Sequence, residues 1–303
     1  MSIPLLFSRV LRIIPVVCVG MALSFVNVQS AQAQNLGWFD WMSPLAWFPT
    51  IDGEAKVRLI WMSVGNGSFI AQTNFAQDGG SLRNTFHLGK EELFLDSMVR
   101  FQLNRFSIRV AYEPRDFAGF RSGGTTYAGT LVAPLLAEAR ISYSGLRLGG
   151  DLDIVQWNRT RVGIDLDYDF FTPRFVYPSV SSASVGGGSI ASTFSGPNAM
   201  TLGFHVVYNP LRTVFGGSPI LEMRARWPVL GTEVTDWEIA GGIASPSTLL
   251  GSFSLMAGFR STRVSYSAGD TSGLVIPTTP IVTFHPTFEA FFEGWFAEFA
   301  FYY

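Results

Sequence analysis

Between Leu93 and Asn104 the chain alternates without a break. Leu93, Leu95, Ser97, Val99, Phe101 and Leu103 share one parity, and Phe94, Asp96, Met98, Arg100, Gln102 and Asn104 share the other. A helix would scatter Asp96 and Arg100 among the leucines, whereas a strand puts them on opposite faces. A tight turn at Asn104-Arg105 follows. Phe106, Ile108, Val110 and Tyr112 then oppose Ser107, Arg109, Ala111 and Glu113. The same period returns at Val162–Phe170, Met200–Tyr208 and Phe253–Phe259. The dominant element is therefore a strand with one greasy and one polar side.

Composition narrows what such strands can build. Apolar residues make up 48% of the 303 residues and charged ones only 15%, against about 25% charged in an ordinary soluble domain. Beyond the first thirty-odd residues no apolar run approaches the 18–20 or so that a membrane helix needs. Two arrangements fit a greasy chain of this kind: a large soluble core, or a closed barrel, which also satisfies every backbone group inside a bilayer.

The N-terminus reads as an export signal over residues 1–33. Arg9 and Arg12 precede a largely apolar stretch from Ile13 to Val28, and Ala31-Gln32-Ala33 is a small-x-small cleavage site. The only cysteine, Cys18, lies within it, so the processed chain has no thiol. Removing the two signal arginines leaves 19 basic and 23 acidic residues, a formal charge of −4. That balance argues against nucleic acid as a partner. Residues 34–53 form an aromatic-rich segment around Trp38, Phe39, Trp41, Trp47 and Phe48. It suits either a membrane interface or packing at the end of a barrel.

The last ten residues are Gly294-Trp295-Phe296-Ala297-Glu298-Phe299-Ala300-Phe301-Tyr302-Tyr303. Trp295, Phe299, Phe301 and Tyr303 share one face. A terminal strand this aromatic would fray and aggregate in water, but in a barrel it pairs with the first strand and faces lipid. In its export signal, alternating strands and aromatic end the chain resembles the bacterial outer-membrane β-barrel class, porin-like in outline. No motif narrows this to a family. The resemblance implies an all-β, antiparallel, up-and-down transmembrane barrel over 54–303, located in the outer membrane. Its partners would be outer-membrane lipid and the barrel-assembly machinery.

Alternation marks eleven strands, near 54–64, 88–103, 106–114, 134–144, 146–157, 159–170, 198–208, 219–228, 233–244, 249–265 and 288–303. Single-chain bacterial barrels have an even number. Arg174 to Ser182 supplies a twelfth, with Phe175 and Tyr177 outward, and ten is the alternative count. Twelve strands place long loops 65–87, 115–133, 183–197 and 266–287 at one end. The turns 104–105, 144–145, 171–173, 209–217 and 245–248 then fall at the other.

With greasy faces toward lipid, the opposite faces meet in the lumen. Those positions hold Lys56, Arg58, Asp96, Arg100, Arg109, Glu113, Glu138, Arg140, Arg147, Asp151, Asp153, Arg161, Asp165, Asp167, Asp169, His205, Glu222, Arg224, Arg226, Arg260 and Glu298. Interleaved signs can pair across strands, and arginine does so bidentately. The acidic ladder facing an arginine wall could instead form a charge-lined path. Calcium on Asp165, Asp167 and Asp169 is opposed by Arg147 and Arg161 close by, so neither metal nor cofactor is expected.

The expected role is structural or that of a narrow passive channel. Some barrels of the class are phospholipases, lipid A deacylases or proteases, which need a histidine and a carboxylate at the rim. Here only His87 and His285 fall near loop–strand junctions, and no catalytic constellation accompanies them. The chain is not expected to be an enzyme; a rim hydrolase and a surface-loop adhesin or receptor are the alternatives.

Overall fold

The computed structural model describes residues 51–302 except for 73–76, 122–124, 128–129, 133–136, 158–159, 171–173, 181–188, 196, 210–216, 247–250 and 268–284. The expected signal, most of the aromatic segment and Tyr303 lie outside the described residues. The first strand, β1, is Ile51–Gln72, beginning slightly before the boundary expected at residue 54. It is followed by β2 Gln77–Ser81, β3 Glu92–Leu103, β4 Phe106–Arg121, β5 Thr125–Tyr127, β6 Thr130–Val132, β7 Ala137–Trp157 and β8 Thr160–Phe170. The remainder are β9 Arg174–Val180, β10 Ser189–Ser195, β11 Ala199–Tyr208, β12 Ser218–Gly231, β13 Glu233–Ala244, β14 Ser252–Ser267 and β15 His285–Tyr302.

Ten strands close a ring in the order β1, β3, β4, β7, β8, β11, β12, β13, β14, β15 and back to β1, every pair antiparallel. The aromatic last strand makes the closure, running from Glu54↔Tyr302 to Gln72↔His285. A closed ring leaves no strand edge in lipid. Asn104 takes a left-handed backbone (φ 55) in the two-residue β3–β4 turn, a conformation that asparagine tolerates better than most residues.

Outside the ring β9 and β10 form a further pair, for twelve strands together with the ring, while β2 pairs with β1 and β5 with β6 in a separate two-stranded sheet. Arg174–Val180 is a strand, as the sequence suggests, but it does not cross the barrel. It pairs with β7 at Ser142↔Arg174, just beyond Leu146↔Phe170, and so prolongs β8 along the same neighbour. The turn expected at 144–145 is absent, because β7 runs unbroken from Ala137 to Trp157. Its inward parity holds through Ala139, Ile141, Gly145 and Arg147. Gly145 serves close approach instead, since a Cβ there would lie 2.9 Å from the Glu113 carbonyl oxygen. The break expected at 144–145 thus vanishes and β9 follows β8 along β7, which turns a twelve-strand ring into a ten-strand one with a protruding β9–β10 pair; the turn expected at 171–173 lies outside the described residues.

The wall has two zones. In the lower zone, toward Leu103 and Tyr302, the outward residues are apolar: Phe106, Ile108, Val110 and Tyr112 on β4, Phe253, Leu255 and Ala257 on β14, Trp295, Ala297 and Phe299 on β15. Barrels of this kind present lipid with such a band about 25 Å tall. Above it the outward positions become charged, with Asp116 paired to Arg140 and Arg263 paired to Glu289 at 2.6 Å. The inside changes at the same height. Arg58 gives way to Ile60, Asp96 to Phe94, Glu298 to Phe296 and Arg115 to Phe117 at successive inward positions. The barrel is therefore apolar outside and ionic inside at membrane level, and polar outside and apolar inside beyond it.

Candidate functional site in the barrel lumen

The lower zone brings most of the expected charged residues into one network. Asp96, Arg100, Arg109, Arg147, Asp151, Asp153, Asp165, Asp167, Asp169, Arg226 and Glu298 are buried; Arg58, Arg161, Glu222 and Arg224 are partly buried. Glu138 is on β7, but its side chain lies outside the described ones. Arg140 is a correction. It has the outward parity of β7 and an exposed side chain, and it pairs with Asp116 on the outer face of the upper wall. Both residues are at sheet positions facing away from the lumen.

Several pairs join strands far apart in the ring. Lys56 on β1 reaches Glu222 on β12 at 2.6 Å and Glu298 on β15 at 3.1 Å. Arg58 bridges Glu298 at 2.6 Å and Glu238 on β13 at 2.9 Å, with its guanidinium 4.0 Å from the Phe296 ring centre. Arg260 on β14 donates to Asp236 at 2.9 Å and to Glu113 on β4 at 2.7 Å. Three strands separate β14 from β4 and three separate β1 from β12. In a ten-membered ring those pairs span nearly the full width of the lumen. Only long side chains on both walls can do this, which is why arginine, lysine and glutamate dominate here.

The acidic ladder is neutralised on its own side. Arg109 donates to Asp167 at 2.6 Å, and Arg226 donates to it at 3.0 Å. Arg147 binds Asp169 and, at 3.1 Å, Glu113. Asp151 takes Ser107 at 3.0 Å and the Arg100 guanidinium at 3.0 Å. Arg161 donates to Gln102 at 2.6 Å. His205 sits between Asp165 at 2.5 Å and Asp153 at 2.8 Å, so both ring nitrogens face acceptors. It fits because its neighbour across the ladder is Gly163, where a Cβ would lie 2.6 Å from the imidazole. Ligand atoms of Asp151, Asp165 and His205 lie within 4.8 Å of one another. Each is already engaged by arginine, serine or carboxylate, a setting that opposes a cation.

Four members escaped the sequence reading: Glu54, Arg115, Asp236 and Glu238. Asp236 and Glu238 were detectable, since they alternate with Trp237 and Ile239. Arg115 falls by sequence in the expected loop 115–133, yet it is fully buried on β4 and grips Asp96 through both terminal guanidinium nitrogens, the longer bond being 2.7 Å. The space left among Lys56, Arg58, Arg109, Glu113, Arg224 and Glu298 is about 30 Å³, room for one or two waters.

With lipid-type side chains outside and ion pairs inside the same ring, the class is decided. The chain is a membrane-spanning β-barrel of the outer-membrane type. Of its closing-strand aromatics, Trp295 and Phe299 are exposed on the lipid face and Phe301 is half-buried. No protein-family model matches the chain, and no curated protein does. Similar solved structures include the outer membrane protease OmpT from Escherichia coli, at 10% identity over 83% of this chain and 97% of that one, with a TM-score of 0.41. The β domain of the Bordetella autotransporter BrkA matches at 12% identity over 80% and 98%, TM-score 0.40. The outer membrane protein AlkL matches at 11% over 90% and 96%, TM-score 0.35.

Proposed function

We propose that this protein is a structural outer-membrane barrel whose lumen is sealed at membrane level by its own side chains. The observation that carries this reading is the set of ion pairs across the lumen, Lys56–Glu222, Arg58–Glu238 and Arg260–Glu113, around a cavity of about 30 Å³. Hydrated ions and solutes need a continuous wet path, and a cavity of one or two waters does not supply one. The barrel sits in the bacterial outer membrane after loss of residues 1–33, inserted by the assembly machinery and surrounded by lipid, with its long loops outward. It is not an enzyme on this reading. His87 is exposed on the connection before β3.

Planar-bilayer recording on the refolded mature protein tests the proposal. Folded, inserted protein without discrete conductance steps is the expected result. Discrete, charge-selective steps would replace it with the narrow passive channel.

A further inference from the structure

Above the ionic layer the ladder between β3 and β4 stops at Ser97↔Tyr112, although β4 continues to Arg121. The lacking stretch of wall is filled by residues 82–91, which are neither strand nor helix. This segment turns on bonds to its own start and to β1: Leu82 N–H donates to the Gly67 carbonyl at 3.0 Å, and Leu88 N–H to the Leu82 carbonyl at 3.0 Å. It lies directly on β4, because a Cβ on Gly119 would come within 2.3 Å of the Phe86 carbonyl oxygen. His87 is held in the left-handed region at φ 50, uncommon outside glycine.

The segment has two faces. Arg83, Asn84, His87 and Lys90 are exposed, while Leu82, Phe86 and Leu88 are buried in the upper barrel. They enter a chamber walled by aromatic rings. Phe94 meets Phe117 edge-on at 5.0 Å, Phe117 stacks on Phe292 at 5.3 Å, and Phe69 meets Phe86 edge-on at 6.4 Å. Apart from Glu92, which stands opposite the inward Met62 near the rim, the described inward side chains of this zone carry no charge, and the floor is the Arg58–Glu298 layer beneath Phe296.

We infer that residues 82–91 are a displaceable flap, and that the space its three anchors fill is a binding site for a small apolar, preferably aromatic, molecule arriving from the long-loop end. Phe86 then acts as an intramolecular stand-in for that ligand. Three features favour this over a permanent core. The segment has no ladder to β4, its turn is strained, and its apolar contacts come from three side chains rather than a strand. The ligand class follows from the walls, which offer mainly ring faces, ring edges and aliphatic side chains. Because the ionic floor blocks further passage, as the sealed-lumen reading requires, the chamber is a site and not a conduit.

The test uses the full mature chain in lipid nanodiscs with 4-fluorophenylalanine at position 86 and benzene as the probe. A fluorine signal that moves saturably is expected. A second preparation carries the label at Phe117, with and without Phe86→Ala. Removing the internal competitor raises the populated open fraction, so benzene affinity should rise about tenfold. Leu88→Ala replaces Phe86→Ala should the latter not fold. A response that grows only in proportion to benzene in the lipid, or equal affinity with and without the anchor, overturns the inference. Conductance of the same preparations separates the two readings. A silent barrel with an unresponsive Phe86 removes the flap alone, and a conducting barrel removes the sealed lumen.

Discussion

Arg260→Met tests whether the pairs across the lumen hold the barrel together. Arg260 is 2% exposed and stands among three carboxylates, Asp236 at 2.9 Å, Glu113 at 2.7 Å and Asp96 at 3.8 Å. Methionine keeps the apolar stem but removes the cation. Taking one partner from a buried ion pair costs about 3–5 kcal/mol, because the remaining charge is stranded. Here each carboxylate retains another cation: Asp236 keeps Arg226, Glu113 keeps Arg147 and Asp96 keeps Arg115. The low end, about 3 kcal/mol, is therefore expected. In urea unfolding from lipid vesicles, with a slope of about 3 kcal/mol per M, the midpoint should fall by about 1 M. Glu113→Gln in the same background should recover part of the loss, giving a coupling of about 1–2 kcal/mol across the lumen. An unchanged midpoint, or strictly additive single and double variants, would show that Arg260 and Glu113 do not meet, and the sealed-lumen reading would go with them.

Other expectations follow from depth and close packing. Ala257→Arg, outward within the apolar band, should destabilise by about 2–4 kcal/mol, whereas Ser265→Arg, further along the same strand and above the band, should cost under about 1 kcal/mol; equal effects in urea titrations would misplace the membrane. Arg140→Gln breaks the outer-face pair with Asp116, in which the arginine is half-exposed, and should shift stability by about 1 kcal/mol or less, in contrast to Arg260→Met by the same assay. Gly149→Ala puts a Cβ 2.0 Å from Asp167 Oδ1 and 3.0 Å from Arg109 Nη2. The overpacking should cost about 1–3 kcal/mol, read as a lower temperature for loss of the folded band on unboiled gels. Transferred to detergent-free buffer, the mature chain should aggregate; a monodisperse solution would contradict the outward greasy face.

Much of the fold was written locally. Leu95/Asp96 and Ile108/Arg109 declare their faces because neighbours on a strand point oppositely. The final aromatics needed a partner, and β1 supplies it at Val57↔Phe299 and Trp61↔Trp295. The misreadings share one cause, which is that turn chemistry is local but ring membership is not. Ser144-Gly145 looks like a turn, yet the glycine is there for the β4–β7 approach. Arg174–Val180 reads as a strand and is one, but only the register against Ser142 shows that it prolongs β8. Arg140 carries the right charge on the wrong parity, and a break inferred one strand too early concealed it.

The chain alone determined that strands would alternate between lipid and charge and close on an aromatic end, because burial against a bilayer is imposed residue by residue with period two. Which charges meet was beyond it. Lys56 finds Glu222, and Leu82, Phe86 and Leu88 fold into the barrel mouth, only once distant strands have closed the ring and fixed its width. Partners across a lumen are set by curvature and register, and neither is encoded in any local stretch of sequence.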